Sequence, residues 1–461
     1  YRHYLERARL FRPHKLSEPE EKILDIKANT STRAFQRLFS ELVSGLTVQI
    51  GRGKHAQKLT LDQALTKLHE PDRPVRKNAA KAITHTLQSH ARVLTYIFNT
   101  LVLDHKLNDE LRKFPSPMHA RHLANEIEPT TVDALMTACE NAYDIVQDYY
   151  RLKKRLLGLR TLYDYDRYAP IFAELPRCEW PQGQRIVLEA YRDFSPTAAQ
   201  IVQEFFDRGW IDAEVRFGKV GGAFSASTVP SAHPYILLNY TDKLRDVMTL
   251  AHELGHGIHQ YLSRKVGHLQ ADTPLTMAET ASTFGEILTF RKLLHSSSDP
   301  NVKLALLCSK IEDSFATIFR QIALTRFEQK LHEARRTHGE LPPEQISKLW
   351  LETNQQMFGN SVTLTEDYRW WWLYISHFIH VPFYCYAYAF GELLVLALYQ
   401  KYLREGEAFV PTYLNLLAAG GSDSPQKLLA PLGVDTSDPN FWNTGFEFLR
   451  AMVREAEQLH S

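Results

Sequence analysis

Residues Thr249-Leu250-Ala251-His252-Glu253-Leu254-Gly255-His256 spell H-E-x-x-H inside a segment of helical character. Positions i and i+4 share one face of a helix, so both imidazoles can reach a single cation. Glu253 is turned about 100° from His252, which sets it beside a metal-bound water and not on the metal. Zinc then requires a third protein ligand and an open position. A second helix, opened by Thr273-Pro274, carries Met277-Ala278-Glu279-Thr280-Ala281-Ser282. A set of His252, His256 and Glu279 leaves the fourth position to water, which suits metal-assisted hydrolysis with one Zn2+ per chain. Gly255 and Gly257 stand in mid-helix at about 1 kcal/mol each relative to Ala, and predict another backbone packed close by. The other His-Glu pair fails this test: His332 and His338 are six residues apart, about 120° off a common face.

Outward from this motif the chain of 461 residues is 44% hydrophobic and 23% charged, as globular proteins are. Its length predicts one large domain or, in preference, two or three. Lys plus Arg total 54 against 53 for Asp plus Glu, a balance that argues against a nucleic-acid binder. No run of 18 apolar residues predicts a membrane span, and the first residues lack the apolar region of a signal peptide. Cys139, Cys178, Cys308 and Cys385 are isolated, without a CxxC pair, so a reducing compartment and a cytoplasmic location are expected. The chain starts at Tyr1 and not at Met, and a further N-terminal piece is expected ahead of it.

Most of the sequence carries helical signals. Ser17-Glu18-Pro19-Glu20 and Thr60-Leu61-Asp62-Gln63 are helix openings of the capping-box type. Between them, Leu46–Ile50 and Lys58-Leu59 flank a Gly-rich turn, a short hairpin. Residues 73–103 and 130–157 predict long amphipathic helices. Two strands, 221–227 and 234–240, form the main β element just before the H-E-x-x-H helix. The fold class is therefore mainly α with a small β element next to the active-site helix. A helical N-terminal unit over 1–195 and a catalytic unit over 196–461 are expected.

Three segments together resemble peptidase family M3: HELGH at 252–256, AETAS at 278–282, and His377-Phe378-Ile379-His380-Val381-Pro382-Phe383-Tyr384-Cys385-Tyr386-Ala387-Tyr388-Ala389-Phe390-Gly391. Within that family the chain is most similar to the oligoendopeptidase F branch. Gly222-Ala223-Phe224-Ser225 and Tyr163-Asp164-Tyr165-Asp166-Arg167-Tyr168-Ala169-Pro170 extend the similarity over nearly the whole chain. The resemblance implies a bilobed helical metallopeptidase of the gluzincin type, with zinc on the floor of a deep channel. It implies endopeptidase action on short unstructured oligopeptides, and a helical segment ahead of Tyr1. It also implies His252, His256 and Glu279 as zinc ligands, Glu253 as catalytic base and His377 as a stabiliser of the tetrahedral intermediate. Tyr386 and Tyr388 fall where the family places its transition-state tyrosines, with Tyr384 open to one of those roles.

Glu286 lies two helical turns after Glu279, on the same face, where a carboxylate would orient His252 or His256. His259 also falls on the metal side, but a fourth protein ligand would exclude water, so packing is expected. The strand containing Gly222, Ala223, Phe224 and Ser225 reads equally well as a tight-packing element or as an edge that binds substrate main chain. Two rival functions stand beside the endopeptidase. A dipeptidyl carboxypeptidase of the same family needs a cation for the substrate C-terminus, and residues 377–391 contain no Arg or Lys. An inactive helical peptide-binding scaffold would not need a complete set of ligands and base.

Overall fold

The computed structural model describes residues 1–51, 56–172 and 176–460; the tip of the predicted hairpin lies outside them. About 70% of the chain is helical. Helices start where the sequence supplies caps. The Ser17 amide donates to Glu20 Oε2 at 2.9 Å ahead of Glu18–Ala28, and ahead of Leu61–Thr66 the Thr60 amide donates to Gln63 Oε1 while the Gln63 amide donates to Thr60 Oγ1. Strands β1 (Thr47–Ile50) and β2 (Gln57–Thr60) pair antiparallel. The helix that opens at Arg73 continues to Arg112, where Lys113 ends it in the left-handed region. The segment 130–157, expected as one helix, is two: Pro129–Asn141 and Tyr143–Leu156. At Ala142 the backbone leaves helical values (φ −101°, ψ 12°). Buried positions keep their three- and four-residue spacing across that break, so periodicity does not register it.

Buried apolar side chains form two cores. The larger surrounds the helix Thr280–Ser296, which packs against the motif helix Leu244–Ser263, Trp180–Phe194 and Tyr386–Glu405. The smaller gathers the long helix Arg73–Arg112 with Trp350, Trp371 and Trp372. The helix Phe319–His338 serves both, with Phe319 and Ile322 in the first core and Leu324 and Phe327 in the second. The cores therefore do not divide at residue 195. Most buried apolar side chains from Met118 to Val202 belong to the larger core with those of the motif helix, whereas Tyr368, Trp370–Ile375, Phe378, Ile379 and Cys385 belong to the smaller one.

A three-stranded sheet lies beside the motif helix. Strand β5 (Tyr235–Leu237) is central, between β3 (Ile211–Asp212), parallel to it, and β4 (Phe224–Ala226), antiparallel. Each expected strand is thus cut to three residues, and β3 is an addition. Gly222 has a φ of +84°, outside the extended region, and Asn239 Nδ2 holds its carbonyl at 2.9 Å. Gly222 and Ala223 consequently precede the strand instead of belonging to it.

The glycines of the motif helix have distinct neighbours. A Cβ on Gly255 would overlap the Ala281 carbonyl oxygen, and one on Gly285 would lie 2.9 Å from the Ala251 carbonyl oxygen. The helices Leu244–Ser263 and Thr280–Ser296 therefore cross with their backbones in contact. Gly257 faces the ring of Phe205 and not a backbone.

Candidate active site

This crossing delivers two carboxylates to one imidazole. Glu279 stands in a break between the short helix Leu275–Ala278 and Thr280–Ser296, not inside a continuous helix. Its Oε2 lies 3.3 Å from Nε2 of His252 and 3.3 Å from Nε2 of His256, and Ser282 Oγ donates to it at 2.7 Å. At the other ring nitrogen, His252 Nδ1 meets Glu286 Oε1 at 2.5 Å. Lys310 Nζ donates to Glu286 Oε2 at 3.2 Å. A carboxylate on the far nitrogen fixes ring orientation and leaves Nε2 for a metal.

The donor set fits zinc. Ligand atoms about 2.0–2.1 Å from a tetrahedral zinc ion stand about 3.3 Å apart, the separation that Glu279 keeps from both rings. The three donors lie within 4.8 Å of one another, and among the described residues no other His, Cys, Asp or Glu group converges in this way. Burial works against charge on His252, but its bonds with Glu279 and Glu286 outweigh this and push its pKa up to about 10. The cradle attracts positive charge.

Glu253 is buried, and its Oε2 has no hydrogen-bond partner among the described residues. Burial raises its pKa above the ordinary carboxylate value, against the opposing charges of His252 and His256. His259 is buried and outside the donor group.

His252, Glu279, Glu286, Lys310 and Tyr388 line one cavity of about 490 Å³. The Tyr388 hydroxyl is 3.4 Å from His377 Nε2, and the Tyr384 ring centroid is 5.0 Å from that of Tyr388. Tyr386 points elsewhere. It is fully buried, its hydroxyl accepts from Asn125 Nδ2 at 2.9 Å, and its ring lies against His122. Residues two apart on a helix diverge by about 200°, so Tyr386 and Tyr388 cannot share the cavity. Of the expected pair, Tyr388 lines this cavity and Tyr386 does not; Tyr384 lies against Tyr388.

A strained turn presents these tyrosines. Phe383 is buried at a φ of +56°, which an aromatic residue adopts only under constraint. Its amide donates to Glu328 Oε2 at 2.9 Å. Burial pushes the Glu328 pKa from 4.5 up to about 8. Between those values the unfolded chain ionises this carboxyl while the folded protein keeps it protonated. Stability is therefore expected to fall as pH rises through the window, by about 1.4 kcal/mol per pH unit at most, and to level off above about 8. Glu328→Gln removes the titration, so urea midpoints at pH 5 and pH 8 should differ less in the variant than in the wild type. Equal differences would mean that this carboxyl titrates normally.

Gln260, one helical turn past His256, ties the sheet to the motif helix. Ser225 Oγ donates to Gln260 Oε1 at 2.7 Å, and Gln260 Nε2 donates to the Ser225 carbonyl at 3.1 Å. The amides of Ile236 and Leu238 bond to Trp210 and Asp212, so Tyr235 and Leu237 turn theirs to Ala226 and Phe224. By alternation the Ser225 main chain faces the outer edge of β4. Sequence reasoning passed over Gln260, although its i+4 spacing from His256 marks the same face.

A sequence profile of peptidase family M3 matches residues 66–448. The chain belongs to peptidase family M3. A second profile, oligopeptidase F, matches residues 1–47. The chain is 29% identical to an oligoendopeptidase F homolog of Lactococcus lactis, over all of this chain and 76% of that protein. It is 27% identical to oligopeptidase PepF of Bacillus subtilis, over all of this chain and 69% of that protein. A solved structure from Chlamydophila abortus matches with a TM-score of 0.92 and 27% identity, covering all of this chain and 77% of that one. Oligoendopeptidase-F from Enterococcus faecium shares the fold, with a TM-score of 0.80, 23% identity and coverage of all of this chain and 78% of that one. As an M3 member the protein is a metallopeptidase, mainly helical like these relatives. No helix among the described residues is long and apolar enough to cross a membrane.

Proposed function

We propose that this M3 metallopeptidase is a zinc endopeptidase that cuts internal bonds of short unstructured oligopeptides. The observation that carries this reading is the convergence of His252 Nε2, His256 Nε2 and Glu279 Oε2 at zinc spacing. Zinc held by these three residues supplies Lewis acidity toward water and the scissile carbonyl. Glu253, buried and with no hydrogen-bond partner for its Oε2 among the described residues, takes the proton of the attacking water and passes it to the leaving amine. Burial opposes ionisation of Glu286, but Lys310 and His252 hold its pKa down to about 2. It therefore stays an acceptor for His252 Nδ1. His377 and Tyr388 donate to the oxyanion, with Tyr384 beside Tyr388. Substrate main chain adds to the outer edge of β4 at Ser225. The proposed location is the cytoplasm, supported by four buried, unpaired cysteines.

His377→Ala and Tyr388→Phe are each expected to lower kcat by about 100-fold with unchanged zinc content, because their donors meet charge that exists only in the transition state. Tyr386→Phe should instead lower Tm, since it strands the buried Asn125 amide. A pure KM effect at Tyr388 would make it an ordinary substrate contact.

The reading is tested with a quenched-fluorescent peptide of about ten residues, an extended reach of about 33 Å, alongside a stably folded protein. Internal cleavage of the peptide alone, lost with chelator and restored by zinc, is the expected result. Stepwise release of C-terminal dipeptides would identify the dipeptidyl carboxypeptidase. No cleavage at full zinc load would identify the binding scaffold.

A further inference from the structure

Beside His377 a second cavity of about 520 Å³ follows the helix Phe319–His338, lined by Ser40, Arg320, Tyr374, His377 and His380 among others. It adjoins the metal-donor cavity at two places. Ala316 borders both, and the His377–Tyr388 contact of 3.4 Å joins their walls.

Arg320 is the charge in this cavity without a counter-ion. Among the described residues no carboxylate comes within ion-pair distance of it; its Nη1 donates to the Tyr168 hydroxyl at 3.0 Å. The Arg167 guanidinium lies 5.0 Å from the centre of the Tyr168 ring. Arg167 in turn donates to the Asp164 carbonyl at 3.1 Å and the Tyr368 hydroxyl at 3.4 Å, again with no carboxylate in ion-pair range among the described residues. Two guanidinium groups thus meet around the Tyr168 phenol with no carboxylate in ion-pair range among the described residues. Asp62 also borders the cavity, but it is exposed in the first turn of Leu61–Thr66 and does not pair with Arg320. A guanidinium withdrawn from water without an acid is held at a cost. Of these two cations, Arg320 is the one that borders the cleft, where an incoming anion can reach it. Its planar fork matches a carboxylate with two parallel bonds.

We propose that Arg320 is a specificity residue that binds a carboxylate of the peptide substrate, either its C-terminus or an acidic side chain, at the His377 end of the cleft. The proposal rests on the peptidase reading of the site. It makes the distance from a negative group a determinant of which bond is cut, because the carboxylate is anchored beside the oxyanion donors.

The test uses four peptides built on one cleavable sequence. One has a free C-terminus and no acidic residue; its twin is amidated. The other two are amidated and carry either Glu or Gln at one internal position. The ratio of charged to neutral twin is read as kcat/KM in the zinc-loaded protein. It is read again as Kd by fluorescence anisotropy in the Glu253→Gln background, where no turnover is needed. The expected ratio is about 10- to 100-fold in favour of one charged twin. Which twin shows it distinguishes the C-terminus from an acidic side chain. Arg320→Met should collapse the ratio to near unity, and Arg320→Lys, which keeps charge without the fork, should retain a part. A wild-type ratio near unity for both pairs, or a ratio that survives in Arg320→Met, overturns the proposal and leaves the peptidase reading intact. Absence of turnover at full zinc load sinks the peptidase reading, while the Kd ratio still decides the role of Arg320.

Discussion

Glu253→Gln is expected to keep one zinc per chain and to lose about 100- to 10,000-fold in kcat. The substitution leaves His252, His256 and Glu279 untouched. The lost oxygen charge breaks no bond that holds the fold, because Glu253 Oε2 has no partner among the described residues. What disappears is the proton acceptor beside the attacking water. Metal analysis and steady-state kinetics on the same preparation separate the alternatives. A metal-free variant would make Glu253 part of the cation site, and wild-type turnover would put the base elsewhere.

Glu279→Ala is expected to lose metal and activity together. Its Oε2 is the atom that stands 3.3 Å from both Nε2 atoms, so its removal leaves two imidazoles and the Ser282 hydroxyl. Two neutral ligands are too few for a catalytic zinc site. Glu286→Gln provides the graded comparison: it leaves all three ligands in place, loosens the hold on His252 Nδ1 and Lys310 Nζ, and should weaken zinc binding by about 10- to 100-fold, with activity recovered in excess zinc. Titration against a chromophoric chelator measures both. Stoichiometric zinc in Glu279→Ala would move the third ligand elsewhere, with Glu286 as the next acid on that helix.

The parts of the site that follow from spacing on one helix were legible in the sequence. His252 and His256 share a face by i+4, and Gly255 announced the backbone that crosses there. Glu286 was expected near an imidazole and lies 2.5 Å from His252 Nδ1, whereas the break at Glu279 was not foreseen, since it depends on how two helices pack. Helical phase was the weak link in the distal segment. The left-handed Phe383 sets where the turn ends and the helix begins at Tyr386, and that phase decides which tyrosine faces the cavity. Gln260 and Arg320 escaped notice because their partners, Ser225 and Tyr168, are far away in the chain. The two cores were hidden for the same reason, because Phe319–His338 is shared between them and Tyr368–Ile379 returns to the smaller one.

The most direct measurement is anomalous scattering at the zinc edge from crystals of the zinc-loaded protein. One peak per chain is expected, bounded by His252 Nε2, His256 Nε2 and the Glu279 carboxylate, with Glu286 still on His252 Nδ1. A peak ligated by other residues, or peptide cleavage by crystals that show none, would contradict the account.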